Sequence, residues 1–210
     1  MAASIAKSEP IAPFRPVTYT KHMTTLVVLA HPLPGSLNAH IAQHVITQLD
    51  DKAKLVDLYD SRFDPVLRAP ERDGYYTGSF EDTDGLQACT RLILIFPTWW
   101  SGMPAMLKGW IDRRFMPGVA FDHADDLTAL SGRLHRLRHM VVITTCGGPW
   151  WIDRLILRQP VKKALKLGLM KPCAPGARFH MLSLYGAETA TDQAVAAFQR
   201  RIDRVLSQTT

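Results

Sequence analysis

Three short apolar runs limit what this chain can become. "TLVVLA" (25–30), "RLILIF" (91–96) and "MVVITT" (140–145) are aliphatic, largely β-branched and do not alternate. A strand with one wet face alternates polar and apolar residues. An unbroken run means that both faces are covered, as in a parallel sheet between helices. "KLVDLY" (54–59) and "RFHMLSLY" (178–185) alternate more, which places them nearer the sheet edges.

Helical periods fill the gaps. Leu37, Ile41, Val45 and Leu49 recur every fourth residue, and Val195, Phe198, Ile202 and Val205 form a stripe that Thr191 or Asp192 can cap. "PAMLKGWIDRRF" begins with Pro104, suited to a first helical position. A further helix is predicted from Pro160 to about Leu167, with Gly168 closing it. Strand and helix alternate through the chain, which predicts a three-layer α/β/α sandwich with a five-stranded parallel sheet.

With 210 residues, 47% hydrophobic and 21% charged, the chain reads as one domain with a real core. Residues 1–22 carry three prolines and no apolar period, and read as a flexible tail ahead of a domain over 23–210. No run approaches the ~18 apolar residues of a spanning helix. Cys89, Cys146 and Cys173 lack paired spacing, which suits free thiols and a cytoplasmic location.

Ligands of such sheets bind beyond the carboxyl ends of the strands, at the switch in strand order. Three loops are predicted there. "AHPLPGSLN" (30–38) opens a helix with Ser36 as N-cap, and the free amides behind it suit an anion, with His31 and Asn38 as further donors. "FPTWWSGMP" (96–104) sets Trp99 and Trp100 beside a stiffening Pro97 and an open Gly102, aromatic surface fit for a flat heterocycle. "TTCGGPWW" (144–151) offers the amides of Gly147 and Gly148 to negative charge developing on a ligand. Neither GxGxxG nor a Walker lysine is present.

These motifs together resemble the flavodoxin-fold NAD(P)H:quinone reductases, the DT-diaphorase-like family that also holds the bacterial quinone reductases accompanying glutathione-gated potassium efflux systems. "PAMLKGWID" is the most specific part of the likeness, and "DLYDSRFDPVL" (57–67) adds to it. The resemblance implies a flavodoxin-like sheet of order 2-1-3-4-5 and a flavin, FMN ahead of FAD. It implies two-electron transfer from NAD(P)H to a quinone, a homodimer, and an efflux-system companion as the alternative. By the same resemblance, His31, Ser36, Leu37 and Asn38 hold the flavin phosphate and ribityl chain. Pro97, Thr98, Trp99, Trp100 and Ser101 lie beside the ring system, and Thr145, Cys146, Gly147 and Gly148 face its reducible edge.

The chain departs from the family where "PWWIDR" follows the glycines without the Tyr or His placed there in better-known members, so no catalytic residue is assigned. Tyr75, Tyr76 and Phe80 lack a place in the core pattern and are expected at a dimer surface. The net charge of +6 comes with no nucleic-acid reading motif, and nucleic acid is not an expected partner. His40 and His44 stand i, i+4 without a third ligand nearby, and no metal is expected.

Overall fold

In the computed structural model, residues 24–76, 80–124 and 129–209 are described. The tail at 1–22 lies outside them. β3 (Arg91–Pro97) is the middle strand of a five-stranded sheet. β1 (Thr25–Leu29) and β2 (Ala53–Asp57) lie on one side of it, β6 (His139–Cys146) and β7 (Arg178–Tyr185) on the other. All four pairings are parallel, with Leu29 opposite Ile95 and Pro97 opposite Thr145. Counting only the strands of this sheet, the order is 2-1-3-4-5, as expected.

The unbroken apolar runs divide between two cores. Val27, Leu29, Ile93, Ile95, Val141 and Ile143 pack under α1 (Leu37–Leu49) and the last helix, α6 (Asp192–Gln208). Leu26, Val28, Leu94, Phe96 and Val142 face the opposite layer, built by α3 (Ala105–Arg114) and the helix opening at Pro160. Each fully buried aliphatic side chain is worth roughly 1.5–3 kcal/mol, which is why these runs tolerate no polar interruption. Thr191 caps α6 by accepting from the Ala194 amide at 3.2 Å. At the other end Arg91, 5% exposed, donates to the Leu206 carbonyl and to Thr209, so a cation closes the helix C-terminus.

Several expectations need correction. Pro104 is the N-cap of α3 rather than its first residue. The helix from Pro160 does not stop at Gly168. α4 (Pro160–Lys163) continues through a π-wound stretch, Ala164–Met170, into α5 (Lys171–Cys173). Tertiary contacts of Leu165, Met170 and Cys173 with the core outweigh the local stop signal. Tyr75 and Phe80 pack against the core instead of standing free, while the side chain of Tyr76 and residues 77–79 lie outside the described part. The short helix α2 (Ala69–Asp73) and an antiparallel pair, β4 (Phe121–His123) with β5 (Leu130–Gly132), carry too few residues for a period to show.

The family-specific "PAMLKGWID" serves packing. A Cβ on Gly109 would overlap Pro65, so the glycine lets the chain after β2 lie on α3. Trp110, fully buried, donates through Nε1 to Asp84 Oδ2 at 2.8 Å. Arg114 Nε donates to the same oxygen at 2.8 Å.

Candidate functional site

Thr145, at the carboxyl end of β6, joins the three loops. Its hydroxyl accepts from Asn38 Nδ2 at 2.9 Å, and its carbonyl accepts from the Thr98 amide at 2.7 Å. Thr98 Oγ1 and Thr144 Oγ1 are bonded at 2.8 Å. The ends of β1, β3 and β6 are therefore tied side by side before any ligand arrives. The sequence-predicted residues His31, Ser36, Leu37 and Asn38, Pro97 through Ser101 and Thr145 through Gly148 stand at one sheet edge.

The first loop is built as an anion cradle. Ser36 caps α1 by accepting from the Ala39 amide at 3.2 Å, and the helix offers no acceptor to the amides of Leu37 and Asn38. Asn38 is 2% exposed, and its Oδ1 has no hydrogen-bond partner although its amide nitrogen does. Leu33 donates from its amide to His31 Nδ1 at 3.1 Å, which leaves the neutral ring's proton on Nε2. Burial lowers the His31 pKa below its usual value, so the ring is neutral near pH 7. The adjacent Asp57, at the end of β2, is raised by burial despite bonds from the Tyr59 and Asp60 amides.

The two tryptophans separate. Trp99 meets His31 at a ring-centroid distance of 6.0 Å, forming a wall over the first loop. Trp100 is fully exposed. Trp99 and Gly102 exchange both backbone hydrogen bonds, and the residues between them have φ of +48° and +59°. That is the pattern of a type I′ hairpin turn, normally filled by Asn-Gly, here carrying Trp100 and Ser101. The two rings, expected side by side, are thus parted: Trp99 lies against His31, and the turn projects Trp100 outward.

The third loop leaves open space. A Cβ on Gly148 would meet nothing nearer than Cys146 Sγ at 4.0 Å, so packing does not require glycine there. At Gly147 a Cβ would come to 3.1 Å from Glu188 Oε1. Beyond the glycines the chain winds into a π-helical stretch, Ile152–Ile156, and Asp153 on it accepts from the Tyr185 hydroxyl at 2.7 Å. Tyr185 pairs across the sheet with Cys146. A phenol thus stands near the glycine loop after all, supplied by β7, and burial raises its pKa. Sequence reasoning missed it because only strand pairing brings it there.

Other candidates fall away. Cys89 and Cys173 are pushed by burial up to about 12, too high to be reactive thiols. His40 donates to the Ser36 carbonyl and His44 pairs with Asp203, so each has its own structural partner. No cluster of metal-ligating side chains occurs among the described residues.

The buried Asn38 oxygen, the amides of Leu37 and Asn38, the Trp99 wall and the space at Gly148 fit a flat ligand with an anionic tail. The Flavodoxin_2 family, of flavodoxin-like fold, matches residues 23–206, and the chain belongs to it. An uncharacterised NAD(P)H oxidoreductase of Escherichia coli K12, YcaK, is 34% identical over 105 residues, covering 45% of this chain and 54% of that one. The mouse ribosyldihydronicotinamide dehydrogenase [quinone] is 29% identical over 122 residues, covering 46% and 53%. The chain thus spans about half the length of these relatives. Among solved structures, Smu.1420 of Streptococcus mutans UA159 superposes with a TM-score of 0.73 at 32% identity, covering 87% of this chain and 98% of that one. An FMN-dependent NADH-azoreductase of Bacillus anthracis, in complex with FMN, shares the fold with a TM-score of 0.66 at 17% identity, covering 88% and 98%.

Proposed function

We propose that the protein is a flavin-dependent NAD(P)H:quinone oxidoreductase, with FMN as its cofactor and FAD as the alternative. The observation that carries this reading is the tie of three loops through Thr145, with a buried, unpartnered Asn38 oxygen inside it. The names of the relatives support an NAD(P)H oxidoreductase acting on quinones, and the azoreductase's bound FMN supports the choice of flavin. The efflux-companion alternative draws no support from the relatives described above.

The flavin, when bound, supplies two-electron exchange between NAD(P)H and the quinone. The amides of Leu37 and Asn38, with the Ser36 loop, hold its phosphate at the positive end of α1. His31, neutral, adds a donor without adding charge. Trp99 would stand beside the ring system, and the amides of Gly147 and Gly148 would offer donors to negative charge at its reducible edge. Tyr185 is held by Asp153 and positions the segment beyond the glycines. The functional unit is a homodimer whose second copy covers the Trp100 turn: strained backbone and a fully exposed tryptophan in one place suit an interface.

The test is the absorption spectrum of the purified protein, with mass analysis of the released cofactor and a tryptophan-quenching titration with FMN. A yellow protein, or saturable FMN uptake, followed by bleaching with NAD(P)H and recovery with a benzoquinone is the expected result. A protein that neither retains nor takes up flavin overturns the reading.

A further inference from the structure

At the amino edge of the sheet, opposite the candidate site, three neighbouring strands open on cationic residues. The register sets Arg91 of β3 beside His139 of β6, and His139 beside Arg178 of β7. Neighbouring strands stand about 4.8 Å apart, and residues level with each other point to one face. It is the face of α1 and α6, because Ile93, Val141 and Leu182, an even number of residues further along, pack there. His180 extends the row: its Nε2 lies 3.3 Å from His139 Nδ1, and the ring centroids are 5.4 Å apart.

Like charges level with each other on adjacent strands are destabilising, and a buried cation ordinarily has a carboxylate beside it. No ion pair among the described residues includes Arg91, His139, Arg178 or His180. Arg91, 5% exposed, donates to Thr25, Leu206 and Thr209, all of them neutral acceptors. Arg178 is exposed. Burial and then the cationic neighbours, Arg178 for both rings and Arg91 for His139, lower the pKa of the two histidines. α6, packed on β7, adds the exposed Arg200, Arg201 and Arg204, while its Asp203 is bound to His44.

We propose that the row Arg91, His139, Arg178 and His180 is a binding site for a small, doubly charged oxyanion of the sulfate or phosphate class. Arg178 and the two rings supply N–H donors, and the buried Arg91 supplies field. Arg91 is buried and the histidines are partly so, which suits one small anion better than a nucleic-acid backbone or a bilayer. Neutral rings share one proton across the 3.3 Å gap. Protonating both breaks that bond and turns two N–H groups to a common acceptor. An oxyanion favours the charged rings, so it binds with proton uptake and more tightly as pH falls through 6.5, the ordinary histidine value. None of this rests on the reductase reading, whose loops lie at the other edge.

The experiment is histidine-ring NMR of the full chain titrated with sodium sulfate, ionic strength being held constant with sodium chloride. Sulfate stays doubly charged throughout the pH series, so any pH dependence belongs to the protein. The signals of His139 and His180, identified with His139→Gln and His180→Gln, shift saturably, and affinity rises roughly threefold from pH 7 to pH 6. The double glutamine variant loses that pH dependence. Arg178→Gln weakens sulfate binding about tenfold, the loss of one charge-assisted hydrogen bond. Arg138→Gln, one residue outside the row, changes it by less than about twofold. His31 reports the loops at the opposite edge: sulfate that shifts His31 alone belongs to the α1 cradle and overturns the proposal. Equal shifts with chloride alone, or equal losses in Arg138→Gln and Arg178→Gln, show mere screening and overturn it too. If the row binds sulfate in a protein that takes up no flavin, the anion site stands and only the reductase reading fails.

Discussion

Asn38 and Thr145, 107 residues apart in the chain, share a buried hydrogen bond of 2.9 Å that joins the start of α1 to the end of β6. Asn38 spends its amide nitrogen on this bond and keeps its oxygen unpartnered. Leaving a buried acceptor unpaired costs on the order of 1–3 kcal/mol, a cost that a ligand donor would relieve. Asn38→Leu removes both the bond and the unpaired oxygen. We expect apo stability to change by less than about 1 kcal/mol while FMN affinity falls at least about tenfold. Urea unfolding and quenching titration on the same preparations separate the two effects.

The space at Gly148 gives a cleaner test of ligand demand. A Cβ at Gly148 meets nothing nearer than 4.0 Å, so Gly148→Val should fold with a near-native melting temperature. If the glycine amides face the flavin's reducible edge, stopped-flow reduction by NAD(P)H slows by roughly 100-fold, or flavin is lost. An unchanged reductive half-reaction would move the reactive edge elsewhere.

Trp100 and Ser101 hold left-handed backbone that Asn and Gly adopt with less strain. The double variant Trp100→Asn, Ser101→Gly should raise stability by about 2 kcal/mol. Activity with a benzoquinone should fall and the dimer weaken, measured by turnover and sedimentation velocity. A more stable variant with full activity would leave the exposed tryptophan without a role at the site.

Asp84 gathers the Trp110 indole and the Arg114 guanidinium on one oxygen, with Lys54 near its other oxygen. Asp84→Ala strands a buried N–H and a half-buried cation, and should cost about 2–4 kcal/mol in urea unfolding. Because the motif packs rather than binds, the flavin dissociation constant of the folded fraction should stay within about threefold of the parent.

Three histidines make stability depend on pH. His31, His139 and His180 have pKa values lowered from 6.5, burial being the largest cause in each. His139 and His180 also lie 3.3 Å apart, ring nitrogen to ring nitrogen. A histidine with a lowered folded pKa binds its proton more readily when unfolded. Stability is therefore intact above pH 6.5, declines as pH falls below it, and levels off once the folded values are passed. Urea midpoints against pH should show this slope, and His139→Gln with His180→Gln should flatten it.

Much of the fold was legible because its signals are local. The three buried strands announce themselves by runs that two-sided burial demands, and "RFHMLSLY" matches β7 residue for residue. Leu37 to Leu49 and the Thr191 cap are where period and capping chemistry put them. The loops of the candidate site were also legible, since a capped helix start, paired tryptophans and paired glycines each stand within a few residues.

What tertiary structure alone decided rests on contacts between distant segments. No period locates the bond from Tyr185 to Asp153, because strand pairing sets that phenol opposite Cys146. Gly168 looked like a helix end by local rule, yet burial of Leu165 and Met170 carries the helix past it. The tryptophans read alike in the sequence; a turn with two positive φ angles places Trp99 against His31 and Trp100 in solvent. Local propensity is worth tenths of a kcal/mol per residue, whereas burial is worth kilocalories per side chain, so where the two disagree the packing prevails.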